Sequence, residues 1–284
     1  MSDAPTTPTE LPDDAKDTRG KHFRSMFGNV WLLGITWTLA IIVLIAVGTQ
    51  AGFAIGAGGA AVVLLIALIV VWLVATSRAA SDFFTAYADG RGLTRVSGRS
   101  SLPPVTPLLS KGDSRYTQEL FNGTLPGGVV GSLALYTYEE VSTDSKGNRQ
   151  TTYYHFTIAV TQLPETAPFL SELALQRRFG FRFLDSAEDA FRSRQRVEVE
   201  SVLADKKFEI FTGKSDEMNR ARQVFTPTFI VWLGEEAHEA VAFELSAGAL
   251  VVNQKGHLKT AHELDAFCEG AAVIARRLHE EAAE

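Results

Sequence analysis

Cysteine is nearly absent from this 284-residue chain, which has only Cys268. One thiol closes no internal disulfide and builds no cysteine-based zinc site, so neither kind of staple holds the fold together. Charge is missing altogether from Gly28 to Ser77, where no Asp, Glu, Lys or Arg occurs. A run of that length without charge excludes a water-soluble domain there and predicts membrane-spanning helices. An excess of basic residues is lacking too. The net charge is −6, carried mostly beyond Ser77, and nucleic-acid affinity depends on Lys and Arg neutralising phosphates, so no nucleic-acid partner is expected.

Reactive constellations are equally scarce. The six histidines form no His-Glu-x-x-His pair, and His257 and His262 stand at the wrong interval for one helix face. No Gly-x-Ser-x-Gly elbow marks a nucleophilic serine. Gly213-Lys214-Ser215 ends like a phosphate-binding loop, but Phe208 stands where the first glycine of that cradle is required, so the triplet reads as a strand-to-helix turn. Glu235, Glu236, His238 and Glu239 read as a solvated polar run. No catalytic residue, metal ligand or cofactor site is assigned, and Cys268 reads as a small buried hydrophobe within a helix.

What is present begins with two apolar runs, Val30 to Val47 and Phe53 to Ala75. At ~1.5 Å per residue the first spans about 27 Å, enough for a bilayer core. Only Gly48 to Gly52 separates them, so the helices return to the same side as a transmembrane hairpin over residues 29–77. Trp31 and Trp72 then anchor one interface. Gly48, Gly52 and Gly56 recur every fourth residue, a small-residue stripe that suits packing of the hairpin on itself or self-association into a homo-oligomer. Neither span carries an ionisable residue, which argues against transport.

Lys16, Arg19, Lys21 and Arg24 precede the first span, and Arg78, Arg91, Arg95 and Arg99 follow the second, while the turn is uncharged. Basic residues stay in the cytoplasm, so the N-terminus and the large C-terminal part are both expected there, on a multi-pass protein of the inner (plasma) membrane. The rival reading is a signal peptide cleaved near Ala46-Val47-Gly48. It leaves the second span ending at Arg78 on the same side.

Residues 1–28, with Pro5, Pro8 and Pro12, read as a disordered tail. Residues 78–109 read as a juxtamembrane helix bearing Phe83, Phe84 and Tyr87, followed by a Pro-rich linker, Ser97 to Pro107. Residues 110–284 read as one soluble α+β domain of about seven strands, mostly antiparallel and covered by a C-terminal helix. Strands are expected at Glu119–Leu125, Gly131–Val141 and Thr151–Thr161, the last two joined by the turn Asp144 to Asn148. Pro168 is expected to open a helix ending near Gly180. Strands follow at Val197–Val202 and Phe208–Phe211, then a helix at Ser215–Val224 and another capped by Thr226-Pro227. A hairpin about Ser246 to Gly248 and a helix from Thr260 with Leu264, Phe267, Ala271, Ile274 and Leu278 on one face complete the plan. Tyr136, Tyr138, Tyr153 and His155 are candidates for a ligand-binding sheet face, set against ordinary cross-strand packing. Asn122-Gly123-Thr124 forms a glycosylation sequon that matters only in a lumen.

Residues 207–233 contain Phe208-Glu209-Ile210-Phe211, Ala221-Arg222 and Phe225-Thr226-Pro227-Thr228-Phe229. This succession resembles the pattern Phe-x-Val-Tyr, Ala-Arg, Leu-Thr-Pro-x-Phe of a bacterial family of two-span membrane proteins built on a domain of unknown function. Phe225 departs from the family's usual Leu. The resemblance implies a bacterial membrane protein without an assigned reaction.

These readings converge on a membrane-tethered cytoplasmic binding or interaction module whose partners are the lipid bilayer and a protein yet to be found. The alternatives are an enzyme of unrecognised type acting on a membrane-associated substrate and an oligomeric structural assembly.

Overall fold

The computed structural model describes residues 53–177, 195–199, 201–237 and 241–283, together with the isolated helical positions 38, 41, 42 and 45. The chain divides into two compact units, Met1–Gly90 with Lys259–Ala261, and Arg91–Leu258 with His262–Glu284.

The first unit contains α1, Phe53–Arg91, a continuous helix of 39 residues. Among the described residues it is the one helix long and apolar enough to cross a membrane. At ~1.5 Å per residue it is about 58 Å long, nearly twice the ~30 Å of a bilayer core, so only part of it can lie in lipid. Its composition marks which part. Leu65, Ile66, Ile69, Trp72 and Leu73 are exposed, whereas beyond Ser77 the residues Ala79, Phe83 and Tyr87 are buried. Phe83 meets Phe84 edge-on at 5.0 Å between ring centroids. Gly92, at φ +65°, supplies the left-handed conformation that ends the helix. The expected juxtamembrane helix is thus a direct continuation of the apolar run. Of the expected first span, Thr38, Ile41, Ile42 and Ile45 are helical. Trp31, Gly48 and Gly52 lie outside the described residues.

The second unit is built on one nine-stranded sheet, larger than the seven strands expected, in the order β1-β2-β3-β4-β9-β8-β5-β7-β6. Every neighbouring pair is antiparallel. The strands are β1 Thr94–Ser100, β2 Ser114–Thr124, β3 Val130–Thr143, β4 Arg149–Gln162, β5 Glu172–Arg177, β6 Gln195–Arg196, β7 Phe208–Thr212, β8 Val241–Ser246 and β9 Ala249–Lys255. The β3–β4 hairpin forms where expected. Asp144 Oδ1 accepts from the backbone amides of Lys146 and Asn148 at 2.9 and 2.8 Å, which closes its turn.

Three expectations are corrected. The Pro-rich connector is not a free linker, because its first residues complete β1, which pairs with β2 from Thr94↔Asn122 to Ser100↔Thr117 with a register shift between Ser97 and Ser100. Pro107 then opens the one-turn helix α2, Pro107–Ser110, whose Leu108 and Leu109 are buried. The helix expected from Pro168 is limited to the single turn α3, Thr166–Phe169, before the chain becomes β5. Leu173, Ala174 and Leu175 are all buried, since β5 is covered on both faces and shows no alternation to read. Val202 does not continue a strand. Ser201 accepts from the Ala204 amide and starts α4, Val202–Lys207, while Val197 and Val199 are buried in an extended segment.

Ser215–Glu217 is a 3-10 turn leading into α5, Met218–Val224, and Thr226 caps α6, Pro227–Val231, by accepting from the Phe229 amide. The chain closes with α7, Ala261–Ala283, whose Leu264, Ile274 and Leu278 are fully buried, as is Cys268. Its opposite side, with Glu269, Arg276 and Glu280, faces water as the periodicity requires.

The sheet has two differently covered faces. On one, Tyr136, Tyr138, Phe156, Ile158 and Val251 form a core cluster with Leu108 and Leu109 of α2. The other bears Phe243, Leu245, Leu250 and Val252, paired across β8 and β9. Phe225 stacks on Phe243 there at 6.4 Å between centroids. β9 is buried on both faces, which is why Ala249–Val252 reads as a continuous apolar run.

Candidate functional site

The sheet face proposed from the sequence resolves into two environments. Register pairs Tyr136 with Phe156 and Tyr138 with Tyr154, whereas His155 pairs with Thr137 and Tyr153 with Glu139. Alternation therefore puts Tyr136 and Tyr138 on one face and Tyr153 and His155 on the other. Tyr136 and Tyr138 are core residues, 1% and 0% exposed. Tyr138 stacks on Tyr154 and Phe156 at 4.8 and 5.9 Å. Burial pushes the Tyr136 hydroxyl up to about 12 and that of Tyr138 higher still. Lys111 lies over the Tyr138 ring at 5.4 Å, and loss of hydration lowers its pKa despite the attraction of Glu140 and Glu244.

On the opposite face Tyr153 is exposed. His155 Nδ1 lies 2.9 Å from the Thr137 hydroxyl, and the His257 ring meets His155 edge-on at 4.8 Å. His257 follows β9 and His262 begins α7, so the two histidines do not share a helix. Among the described residues no group of three or more His, Cys, Asp or Glu is placed to hold a metal ion. Glu235 and Glu236 are exposed, while His238 and Glu239 lie outside the described residues. The sequon residue Asn122 is a strand residue whose Oδ1 accepts from the Ser132 hydroxyl at 2.7 Å.

The cavity that stands out is elsewhere. A cleft of about 560 Å³ is bounded by Trp232 and Glu236, by Val241 and Gln254 of β8 and β9, and by His262, Glu263, Phe267 and Glu269 of α7. That volume falls in the range of small-molecule sites. The first wall is unusual in its backbone. After α6 the helix widens over Trp232–Glu236 into a π turn, in which the Ala237 amide reaches back five residues to the Trp232 carbonyl at 2.8 Å. Such turns are rare and recur at functional sites.

Two cations brace the carbonyl end of this turn. Buried Arg177, at the end of β5, donates to Leu233 O at 2.9 Å and to Ala237 O at 3.4 Å, and its guanidinium lies 4.7 Å from the Phe208 ring centroid. Lys207, at the end of α4, donates to Gly234 O at 2.5 Å. Cations suit the negative end of a helical turn, and they hold its last carbonyls in place. Trp232 is fixed from another side by parallel stacking on Phe229 at 5.8 Å.

The floor is apolar, formed by Trp232, Val241, Leu258, Phe267 and Val273. The rim carries Glu236, Glu263 and Glu269, and no Lys or Arg lines the cleft. One polar residue sits deeper. Gln254 is 6% exposed, and its carboxamide has no hydrogen-bond partner among the described residues. It lines the cleft and is not sealed from solvent, so a ligand donor or acceptor there would take the place of water.

Sequence reasoning missed this site. One signal was available: Leu250, Val252 and Gln254 are successive residues on one face of β9, and the third interrupts an inward apolar series. The chain was compared with protein-family models, with curated proteins and with solved structures, and no match was found.

Proposed function

We propose that this protein is a membrane-tethered binding module, in which a two-helix hairpin holds the sheet domain at the cytoplasmic face of the inner membrane and the cleft beside the π turn receives the ligand. The observation that carries the reading is a ligand-sized cleft, lined by the nearly buried Gln254, in a domain whose chain is continuous with a long apolar helix. The exposed apolar side chains of α1 from Leu65 to Leu73 support lipid as their solvent. The basic residues Arg78, Arg91, Arg95 and Arg99 support the cytoplasmic side. The resemblance over residues 207–233 supports the two-span layout.

Topology is tested by cysteine labelling, which buried Cys268 disturbs little. Ser145, exposed in the β3–β4 turn, is replaced in S145C, and Thr49 of the interhelical turn in T49C. An impermeant maleimide is expected to label T49C from outside intact spheroplasts and S145C only after lysis. Labelling of S145C in intact spheroplasts would overturn the cytoplasmic assignment.

A further inference from the structure

We infer that the cleft between the π turn, the β8–β9 pair and α7 takes an organic ammonium ion carried on a short apolar stem. The inference rests on the binding-module reading above and names its ligand class. Three independent features select this chemistry. The described walls bear three carboxylates and no cationic Lys or Arg, so an anionic ligand is repelled and a cation is attracted. Gln254 is nine-tenths buried and lacks a partner among the described residues, so its carbonyl oxygen is available to accept from an N–H donor. Trp232 offers an indole in a fixed orientation, the aromatic that attracts cations best. The apolar floor of Val241, Leu258, Phe267 and Val273 then suits the stem.

The order of these contacts separates primary amines from other cations. A quaternary ammonium satisfies Trp232 and the carboxylates but brings no N–H to Gln254. A bare metal ion satisfies the carboxylates but leaves the apolar floor uncovered. The site therefore favours a primary amine over its trimethylated analogue, and an arylalkyl or alkyl amine over an inorganic cation.

The probe is phenethylamine, added to the full chain in lipid nanodiscs with its four tryptophans replaced by 5-fluorotryptophan. Fluorine NMR then reports Trp31, Trp37, Trp72 and Trp232 separately, with Trp232→Phe assigning the cleft signal. Phenethylamine is expected to shift the Trp232 resonance alone and saturably, while phenylacetate leaves it unmoved. The exposed triple variant Glu236→Gln, Glu263→Gln, Glu269→Gln is expected to weaken binding about tenfold or more, as is Gln254→Leu. Gln254→Glu is expected to tighten it, which separates loss of the acceptor from loss of the fold. If phenylacetate or phenethyl alcohol shifts Trp232 as strongly as the amine does, the ammonium assignment fails and the cleft remains a binding site. If none of the three moves Trp232, or all four resonances move together, the cleft is not a site and the binding-module reading falls with it.

Discussion

Arg177 and Leu233, 56 positions apart in the chain, are joined by a guanidinium-to-carbonyl hydrogen bond of 2.9 Å that fixes the end of β5 to the π turn. Removing the donors while keeping the bulk, as in Arg177→Met, strands the buried carbonyl of Leu233 and the half-buried one of Ala237. A loss of about 2–3 kcal/mol is expected, read as a lower urea midpoint. Arg177→Lys should recover only part of it, because one ammonium cannot reproduce the planar fork.

Glu244 plays a comparable part on the other face of the sheet, where its Oε2 accepts from the Leu108 amide at 2.9 Å in a buried setting. Glu244→Gln keeps an acceptor and should be tolerated. Glu244→Leu leaves that amide unsatisfied and should cost about 1–3 kcal/mol. Hydrogen exchange at Leu108 should quicken in the Leu variant and stay slow in the Gln variant.

Gly127 has φ +90°, and a Cβ built there would lie 2.6 Å from the Cβ of Ala272 on α7. Gly127→Ala therefore adds backbone strain to a clash, with an expected loss on the order of 2 kcal/mol. Ala272→Gly relieves the clash but not the strain, so the double variant should be more stable than the sum of the single losses. A double-mutant cycle by chemical denaturation measures that coupling.

Glu165 Oε1 lies 2.6 Å from His279 Nδ1, and the hydrogen bond to His279 holds the Glu165 carboxyl below the usual carboxylate range. A folded pKa below the unfolded one means that the native state binds fewer protons. The stabilisation is thus fully present above the unfolded value of about 4.3 and is lost as pH falls through the lowered folded value. The pair is solvent-exposed, so only ~0.2–1 kcal/mol is expected. Stability curves of the wild type and Glu165→Gln should differ near neutrality and merge in acid, with added salt narrowing the gap.

Local signals carried most of the legible structure. Thr226-Pro227, the Asp144 turn and the apolar stripe of α7 each specify an element through residues a few positions apart, and each forms where expected. β5 was misread because its neighbours β7 and β8 are far off in sequence and cover it on both faces, erasing the alternation that identifies a strand. β1 was missed because its proline-rich sequel masked a seven-residue strand that pairs with β2 at five positions. The candidate aromatic face failed on register alone. Tyr153 and His155 are separated from Tyr136 and Tyr138 by a side-chain alternation that composition does not reveal. The cleft escaped notice because the π turn, Arg177 and Gln254 are brought together only by the order of strands in the sheet.

The register slip in β1 bears on crowding. Tethered as proposed, the protein would explore two dimensions, so copies would meet far more often than at the same abundance in solution, and an open sheet edge would template strand-to-strand association. β1 meets that hazard with Gly98 at φ +88°, a break in pairing between Ser97 and Ser100, and Arg95 and Arg99 along the strand. A kinked, arginine-bearing edge is a poor template for another strand. On a membrane, the outermost strand on this side of the sheet would thereby keep densely packed neighbours from zipping together edge to edge.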